Sequence, residues 1–579
     1  MPLKHLTRRS FLSTGSLATL AAGSPLFFPA AARANLSADL PMPKASGSLE
    51  EHLDTFIGAY MPAMNAPGMT LGLTDASKTL RTAGYGFANI DQHLPVTTEH
   101  LFQIGSISKS FVALVLLQIR DEGKLDLQKP ILDYMPDLPL LTEFGTITVH
   151  HLLTHTSGLP DNSSVFLTDP SARLVQGFKP GEHFHYCNAG FGILGLLASK
   201  LDGRPWHKVV QARIFDPLGM TSSKGVIATS SRALQATGYQ SFWDDQVYPR
   251  QGKLSPAPNL IMDDTAGCIL STPADMARYA RMMLNHGQGQ SGRIVSEEGF
   301  TLFSTPYIKA DDFSPTASYG YGIAVDTLDG HKILRHTGGM VAFASSIHVD
   351  LDGGVAAFAS INAMQGYRPT AVTEYAVRLL RADHESKPLP APPVLPDPMD
   401  VANAADYAGT FTAADGRKLE FAAAGKRLSL VDGSQTIPLQ HAGGDRFIST
   451  VPGIWATHTF MFGRKDSAAE SPIVQVTYAS DWFVNPTYAG PRSFSAPADY
   501  EAFVGRYHSD SPWGGDAFVY ILRGQLVLEG EPLIRIGGAL FRPGDEPWIP
   551  ETAEFLRILE GKAQQLKFAG MDFWRVEVE

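Results

Sequence analysis

Six of the twelve residues from 387 to 398 are proline. Proline fixes φ at about −65° and has no backbone N–H to give to a helix or a sheet. The stretch is therefore an extended connector, and the chain must fold separately on either side of it. Before it, runs with helical spacing are mixed with strand-like runs. After it come only short alternating strands, with no helical pattern. At 579 residues the chain is also too long for a single core. These features divide it into a leader (1–34), a large domain (35–386), the Pro-rich linker (387–399) and two smaller domains (400–495 and 496–579).

An internal repeat organises the last two. Tyr407-x-Gly409-x-Phe411 returns as Phe503-x-Gly505-x-Tyr507, and Leu428-x-Leu430 as Leu526-x-Leu528. Pro438-Leu439 with Gly443 and Phe447 returns as Pro532-Leu533 with Gly537 and Phe541, and Val476-x-Tyr478 as Leu566-x-Phe568. The period of 90–98 residues is too long for a solenoid and suits two small antiparallel β-barrels in tandem.

In the large domain, residues 49–66 place Leu49, Leu53, Phe56, Ile57 and Tyr60 on one helical stripe, and 69–73 and 79–87 read as strands. Residues 107–122 carry Ile107, Phe111, Leu114, Val115 and Gln118 at helical spacing, with Gly123 as a stop. Further helices begin at Thr148 and at Ser271-Thr272-Pro273, and run over 191–201 and 369–381. The runs 321–325, 332–336, 345–349 and 355–362 form an antiparallel meander. The fold class expected is α+β: an antiparallel sheet flanked by helices plus an all-α cluster, followed by two small antiparallel β-barrel domains.

Thr7-Arg8-Arg9-Ser10-Phe11-Leu12 is a twin-arginine signature, and Ala32-Arg33-Ala34 a small-x-small cleavage site. Gly15, Ser16, Gly23, Ser24 and Pro25 interrupt the apolar run between them, which disfavours a membrane anchor. The expectation is export in the folded state, to the periplasm or beyond. A formal charge of −11 without any Lys/Arg cluster speaks against nucleic acid or an anionic membrane surface as partner, and no later stretch approaches a membrane span. The only cysteines, Cys187 and Cys268, sit in apolar or Gly-rich surroundings and read as two buried free thiols.

The chemistry centres on Gly105-Ser106-Ile107-Ser108-Lys109. Residues three apart share a helix face, so Ser106 and Lys109 lie side by side. A serine hydroxyl needs a partner for its proton, and a half-buried lysine amine that has lost its charge is one. In Tyr186-Cys187-Asn188 a phenol and an amide two apart point the same way, offering a proton acceptor and a hydrogen-bonding group. The phenol would need its pKa lowered, which a neighbouring lysine cation does. His336-Thr337-Gly338-Gly339 ends an apolar strand. Consecutive glycines allow close approach, so that a Gly339 N–H and the Ser106 N–H together make an oxyanion hole. His336 is placed to polarise Tyr186 or to meet a substrate carboxylate. His151 and His155 are four apart, but no third ligand or glutamate completes a metal motif; they read as capping or packing residues. No G-x-S-x-G elbow, P-loop or dinucleotide fingerprint occurs, and no cofactor or metal is expected.

In the order S-x-x-K, Y-x-N and H-T-G, spaced by 80 and then 150 residues, these motifs resemble the serine β-lactamase and penicillin-binding-protein family, especially its class C-like esterase and D-aminopeptidase branch. The phrases Phe102-Gln103-Ile104-Gly105-Ser106, His155-Thr156-Ser157-Gly158-Leu159 and Asp216-Pro217-Leu218-Gly219-Met220 add to the likeness, which covers about residues 50–380. The resemblance implies that Ser106 is acylated, Lys109 activates it and Tyr186 is the general base. It makes Asn188 a contact to a substrate amide, with Thr337, Gly338 and Gly339 lining the site. Its penicillin-destroying members have lysine where this chain has His336, so efficient β-lactam hydrolysis is not expected. The implied activity is an exported serine hydrolase acting on a small-molecule or short-peptide ester or amide. A D-stereospecific aminopeptidase or D-peptidase, and a non-hydrolysing peptidoglycan- or peptide-binding protein, are the alternatives. The tandem barrels also resemble the D-aminopeptidase layout; they bind polymer, gate the site or stabilise a homodimer.

Overall fold

The computed structural model describes residues 40–42, 47–161, 173–242, 247, 249–364, 368–468 and 470–576. The leader lies outside the described residues. The chain forms two compact units that do not follow chain order. One comprises residues 33–240 and 256–394; the other contains residues 241–255 and everything from 395 onward. The excursion 241–255, which falls inside the stretch 35–386, is tied to the barrel region. Val247 donates its N–H to the Ala456 carbonyl (2.7 Å), and Arg250 donates its own to Gln440 Oε1 (2.8 Å).

The first unit is built on nine antiparallel strands: β1 (Gly68–Asp75), β2 (Thr79–Asn89), β3 (Leu94–Pro95), β4 (Ile308–Lys309), β5 (Ser318–Tyr319), β6 (Ala324–Leu328), β7 (His331–Met340), β8 (Phe343–Asp350) and β9 (Val355–Ile361). Their order is β4-β5-β6-β7-β8-β9-β1-β2-β3, so the N-terminal hairpin extends the C-terminal meander through β1 and β9, with Leu71 opposite Ala359. The helices that matter to the site are α1 (Ser48–Ala63), α2 (Ser108–Asp121), α3 (Val149–Leu153), α4 (Asn188–Asp202), α5 (Pro273–Leu284) and α6 (Thr370–His384).

Successive strand residues face opposite sides of a sheet, and β8 shows what each side meets. Ser346 and His348 reach Thr373 of α6 (2.8 and 2.9 Å), while Ile347 and Val349 join the core that holds α2 and α5. In α2 burial goes beyond the residues read at helical spacing, since eleven of its fourteen residues are buried. A helix covered on all sides is a central element rather than a surface one. In α3, Thr148 Oγ1 accepts the His151 N–H (3.3 Å) and His151 Nδ1 accepts the Thr148 N–H (3.1 Å), a reciprocal cap.

The second unit contains two closed eight-stranded barrels, β10–β17 between Gly409 and Val484 and β18–β25 between Gly505 and Val576. The first closes through Thr412 opposite Val484, the second through Arg506 opposite Val576. Phe411, Leu428, Leu430, Leu439, Phe447 and Val476 fill the first barrel, and their repeat partners Tyr507, Leu526, Leu528, Leu533, Phe541 and Leu566 fill the second. The repeat in the sequence is therefore a repeat of interior positions. Among the described residues no helix is long and apolar enough to cross a membrane.

Candidate active site

The chain enters α2 through a single 3-10 turn, Gly105–Ile107. From Leu101 to Leu117 every residue but Ser106 is buried, so the turn delivers one hydroxyl to an otherwise closed surface. Gly105 is needed there: its φ is +54°, and a Cβ would lie 2.6 Å from the Gly339 nitrogen. Gly338 packs as closely, since a Cβ there would fall 1.8 Å from the Ile104 carbonyl oxygen. Gly338 thus lets β7 approach the turn rather than lining an open site. β6 pairs with β7 only as far as Arg335, and beyond it Gly338 and Gly339 of β7 meet the Ile104–Gly105 backbone. The Gly339 backbone is thereby brought against Gly105, the residue before Ser106. Thr337 and Gly339 are partly exposed, with His336 and Gly338 buried between and beside them.

Lys109, one turn along α2, is fully buried. Its Nζ lies 3.0 Å from Ser106 Oγ, 2.7 Å from Asn188 Oδ1 and 2.9 Å from the Ala266 carbonyl. Burial pushes this amine down to about 8, although Asp161 and Asp264 oppose the shift. At pH 7 roughly one such amine in ten is neutral, against fewer than about one in a thousand for a solvated lysine. A neutral amine has two N–H donors and one lone pair. Asn188 Oδ1 and the Ala266 carbonyl can only accept, so both N–H groups go to them and the lone pair faces the Ser106 hydroxyl.

Tyr186 is hydrogen-bonded to Ser106, and Lys109 Nζ stands 4.8 Å from its ring centroid. The expected lowering of this phenol does not occur. Burial dominates and raises its pKa, and the Ser106 bond only partly opposes that. Tyr186 therefore holds its proton, and the group suited to accept one is Lys109. The Tyr186 ring stacks on buried His155 (centroids 4.2 Å apart). His155 Nδ1 accepts the Cys187 N–H (2.9 Å), and the His155 carbonyl accepts the His185 N–H (2.7 Å). Asn188 opens α4, capped by Cys187, whose Sγ accepts the Gly190 N–H (3.2 Å). Cys187 and Cys268 are buried thiols not joined in a disulfide.

His336 is buried and pushed down to about 3, chiefly by desolvation and then by Lys109, so it is neutral. Its Nδ1 donates to the Thr337 carbonyl (2.6 Å), which leaves Nε2 to accept the Tyr319 hydroxyl proton (2.9 Å). Both ring nitrogens are thereby engaged, and neither expected role for His336, polarising Tyr186 or meeting a carboxylate, is open to it in this arrangement. The cation beside Gly339 is Arg368 instead: a Cβ at Gly339 would lie 2.3 Å from its terminal nitrogen. Burial holds this guanidinium down to about 10. Arg368, Asp161 and Tyr319 were not singled out in the sequence. His155 reads in the sequence as a capping or packing residue, and it packs against the Tyr186 ring.

Residues 53–382 match the model of the family described as Beta-lactamase. Over 336 residues the chain is 28% identical to "Penicillin-binding protein 4" of Amycolatopsis lactamdurans, covering 55% of this chain and 85% of that protein. It is 25% identical over 254 residues to "Protein flp" of Staphylococcus aureus, covering 41% of this chain and 49% of that one. Among solved structures, the octameric penicillin-binding protein homologue from Pyrococcus abyssi is similar with a TM-score of 0.51 and 25% identity, over 75% of this chain and 99% of that chain. The match to the family spans more than half of the sequence and encloses every residue of the site above. The chain belongs to the beta-lactamase family, whose members are serine hydrolases.

Proposed function

We propose that this protein is an exported hydrolase that cleaves an ester or amide through an acyl-enzyme on Ser106. The observation that carries the reading is the Lys109 amine, fully buried, 3.0 Å from the Ser106 hydroxyl and held by two acceptors that leave its lone pair for that hydroxyl. In the reaction Ser106 Oγ bonds to the substrate carbonyl carbon while its proton passes to Lys109. The carbonyl oxygen takes the negative charge beside the Ser106 and Gly339 N–H groups. The leaving oxygen or nitrogen then departs with the proton, returned by the Lys109/Tyr186 pair. Water repeats the sequence on the acyl-enzyme, giving its proton to Lys109 and releasing the acid and Ser106.

A narrower reading, a D-stereospecific peptidase, is favoured by the two barrels that follow the family domain. Turnover of p-nitrophenyl butyrate against D-alanine p-nitroanilide separates ester from D-amide specificity. Acylation without release would instead mark a binding protein. Ser106→Ala is expected to abolish both turnover and labelling by a fluorophosphonate, with the far-UV spectrum unchanged; labelling that persists places the nucleophile elsewhere. Export through the twin-arginine leader is tested by fractionating cells carrying Arg8→Lys/Arg9→Lys, which should retain the unprocessed chain inside.

A further inference from the structure

The site contains a carboxylate that the mechanism above does not use. Asp161 follows the turn Gly158-Leu159-Pro160, and its Oδ1 accepts two hydrogen bonds from Asn188, one from the backbone N–H (2.8 Å) and one from side-chain Nδ2 (3.0 Å). The Asp161 carbonyl accepts a third, from the Ala189 N–H (2.9 Å). Asp161 is thus fastened to the first turn of α4, and one oxygen both holds the Asn188 backbone and selects the orientation of its amide.

That selection matters at the far end of the amide. Asn188 Oδ1 lies 2.7 Å from Lys109 Nζ. Turned over, the amide would set Oδ1 against the Asp161 carboxylate, acceptor against acceptor, and Nδ2 against the lysine N–H groups, donor against donor. With the amide as observed, Lys109 must give an N–H to Asn188, a second to Ala266, and keep its lone pair for Ser106. We infer that Asp161 is a positioning residue that locks the Asn188 amide and, through it, aims the Lys109 lone pair at Ser106. The logic is that of a third group orienting a base that serves a nucleophile, with an amide interposed. It deepens the proposed function and rests on it.

Asp161 also stands among the charges that Lys109 feels. Facing that amine are Asp161 beyond Pro160, Asp264 ahead of Ala266, Cys187 ahead of α4, and the rings of Tyr186 and Phe191, with His155 and His336 both neutral nearby. Of these, Asp161 is the leading charge that favours the ammonium form. The two contributions separate by substitution. Asp161→Ala removes the lock and the charge; Asp161→Asn removes the charge and retains a side-chain oxygen to accept from Asn188.

The test is the second-order rate of fluorophosphonate labelling of the full-length protein from pH 5.5 to 10, beside kcat and KM on p-nitrophenyl butyrate. In Asp161→Ala labelling is expected to slow at least tenfold, with kcat falling and KM within about threefold of wild type. In Asp161→Asn the rate should return to within about threefold, and the acidic limb of the profile should move to lower pH, because the amine loses its ammonium-favouring neighbour. Wild-type labelling in Asp161→Ala overturns the inference. So does an Asp161→Asn rate that stays as low as that of Asp161→Ala, and if Asp161→Ala does not fold, an Asp161→Asn rate more than tenfold below wild type overturns it. Labelling of Ser106→Ala at the wild-type rate would instead overturn the nucleophile assignment, a distinct failure.

Discussion

In the second barrel the buried Tyr507 hydroxyl donates to the Phe503 carbonyl (2.8 Å) and accepts from Arg575 (2.8 Å), which also donates to the Ala563 and Val504 carbonyls. In the sheet-and-helix unit the buried Lys109 amine has hydrogen-bond partners that are all uncharged. The first barrel resembles the second in kind: Arg464 reaches both the Tyr407 hydroxyl (3.3 Å) and its partner Asp445 (2.7 Å). Tyr407 corresponds to Phe503 in the repeat, and Tyr507 to Phe411. Each barrel has therefore placed one arginine-anchored tyrosine at a different point of the same scaffold. The barrels use buried polar groups to tie strands together, and each pairs its tyrosine hydroxyl with an arginine. The family domain leaves a cation short of a counter-charge, which costs stability and keeps a proton within exchange near neutral pH.

The largest expected effect tests the second half of that contrast. Lys109→Met preserves length and apolar packing, and should lower fluorophosphonate labelling of Ser106 by about 10³-fold. In the wild type the rate should rise with pH as the amine neutralises through about 8, then level off. The variant should lack that limb, and a variant that keeps it would detach the titration from Lys109. The next effect tests the barrels. Phe541→Ala opens a cavity in an interior made of packed rings, and should cost about 3–5 kcal/mol in denaturant unfolding of the full chain. A loss below about 1 kcal/mol would mean that this interior is not what holds the barrel. The smallest effect lies at a polar tie outside the active site and the barrels: Thr148→Ala removes half of the reciprocal cap on α3 and should cost about 1 kcal/mol, read from the thermal midpoint.

Much of this arrangement is legible in the sequence because it depends on periodicity and local turns. The repeat positions from Phe411 to Leu566 announce interior strand faces, and S-x-x-K announces a shared helix face. What escaped depends on tertiary placement. The start of α4 at Asn188 was missed by three residues, since a cysteine is not among the usual capping side chains, yet Cys187 caps it. The Tyr186 phenol rises where a lysine neighbour was expected to lower it, because full burial outweighs the Ser106 hydrogen bond and the Arg368 charge that oppose it. His336 turns its nitrogens to Tyr319 and its own strand, which spacing along the chain cannot reveal. Arg368 and Asp161 belong to no motif, and only tertiary contacts bring them to Gly339 and Asn188. The excursion 241–255 carries no compositional break to mark it as part of the barrel unit.

The closure of each barrel has a further consequence for how copies of this chain meet. A sheet with open sides offers a ready ladder of amide and carbonyl groups to a neighbour, and many assemblies grow by annexing such a side. Joining the first strand to the eighth leaves neither barrel with an unpaired outer strand, through Thr412 opposite Val484 in the first and three residue pairs in the second. Self-association or recruitment through this region must accordingly be written in side chains and loops, where single substitutions can tune it.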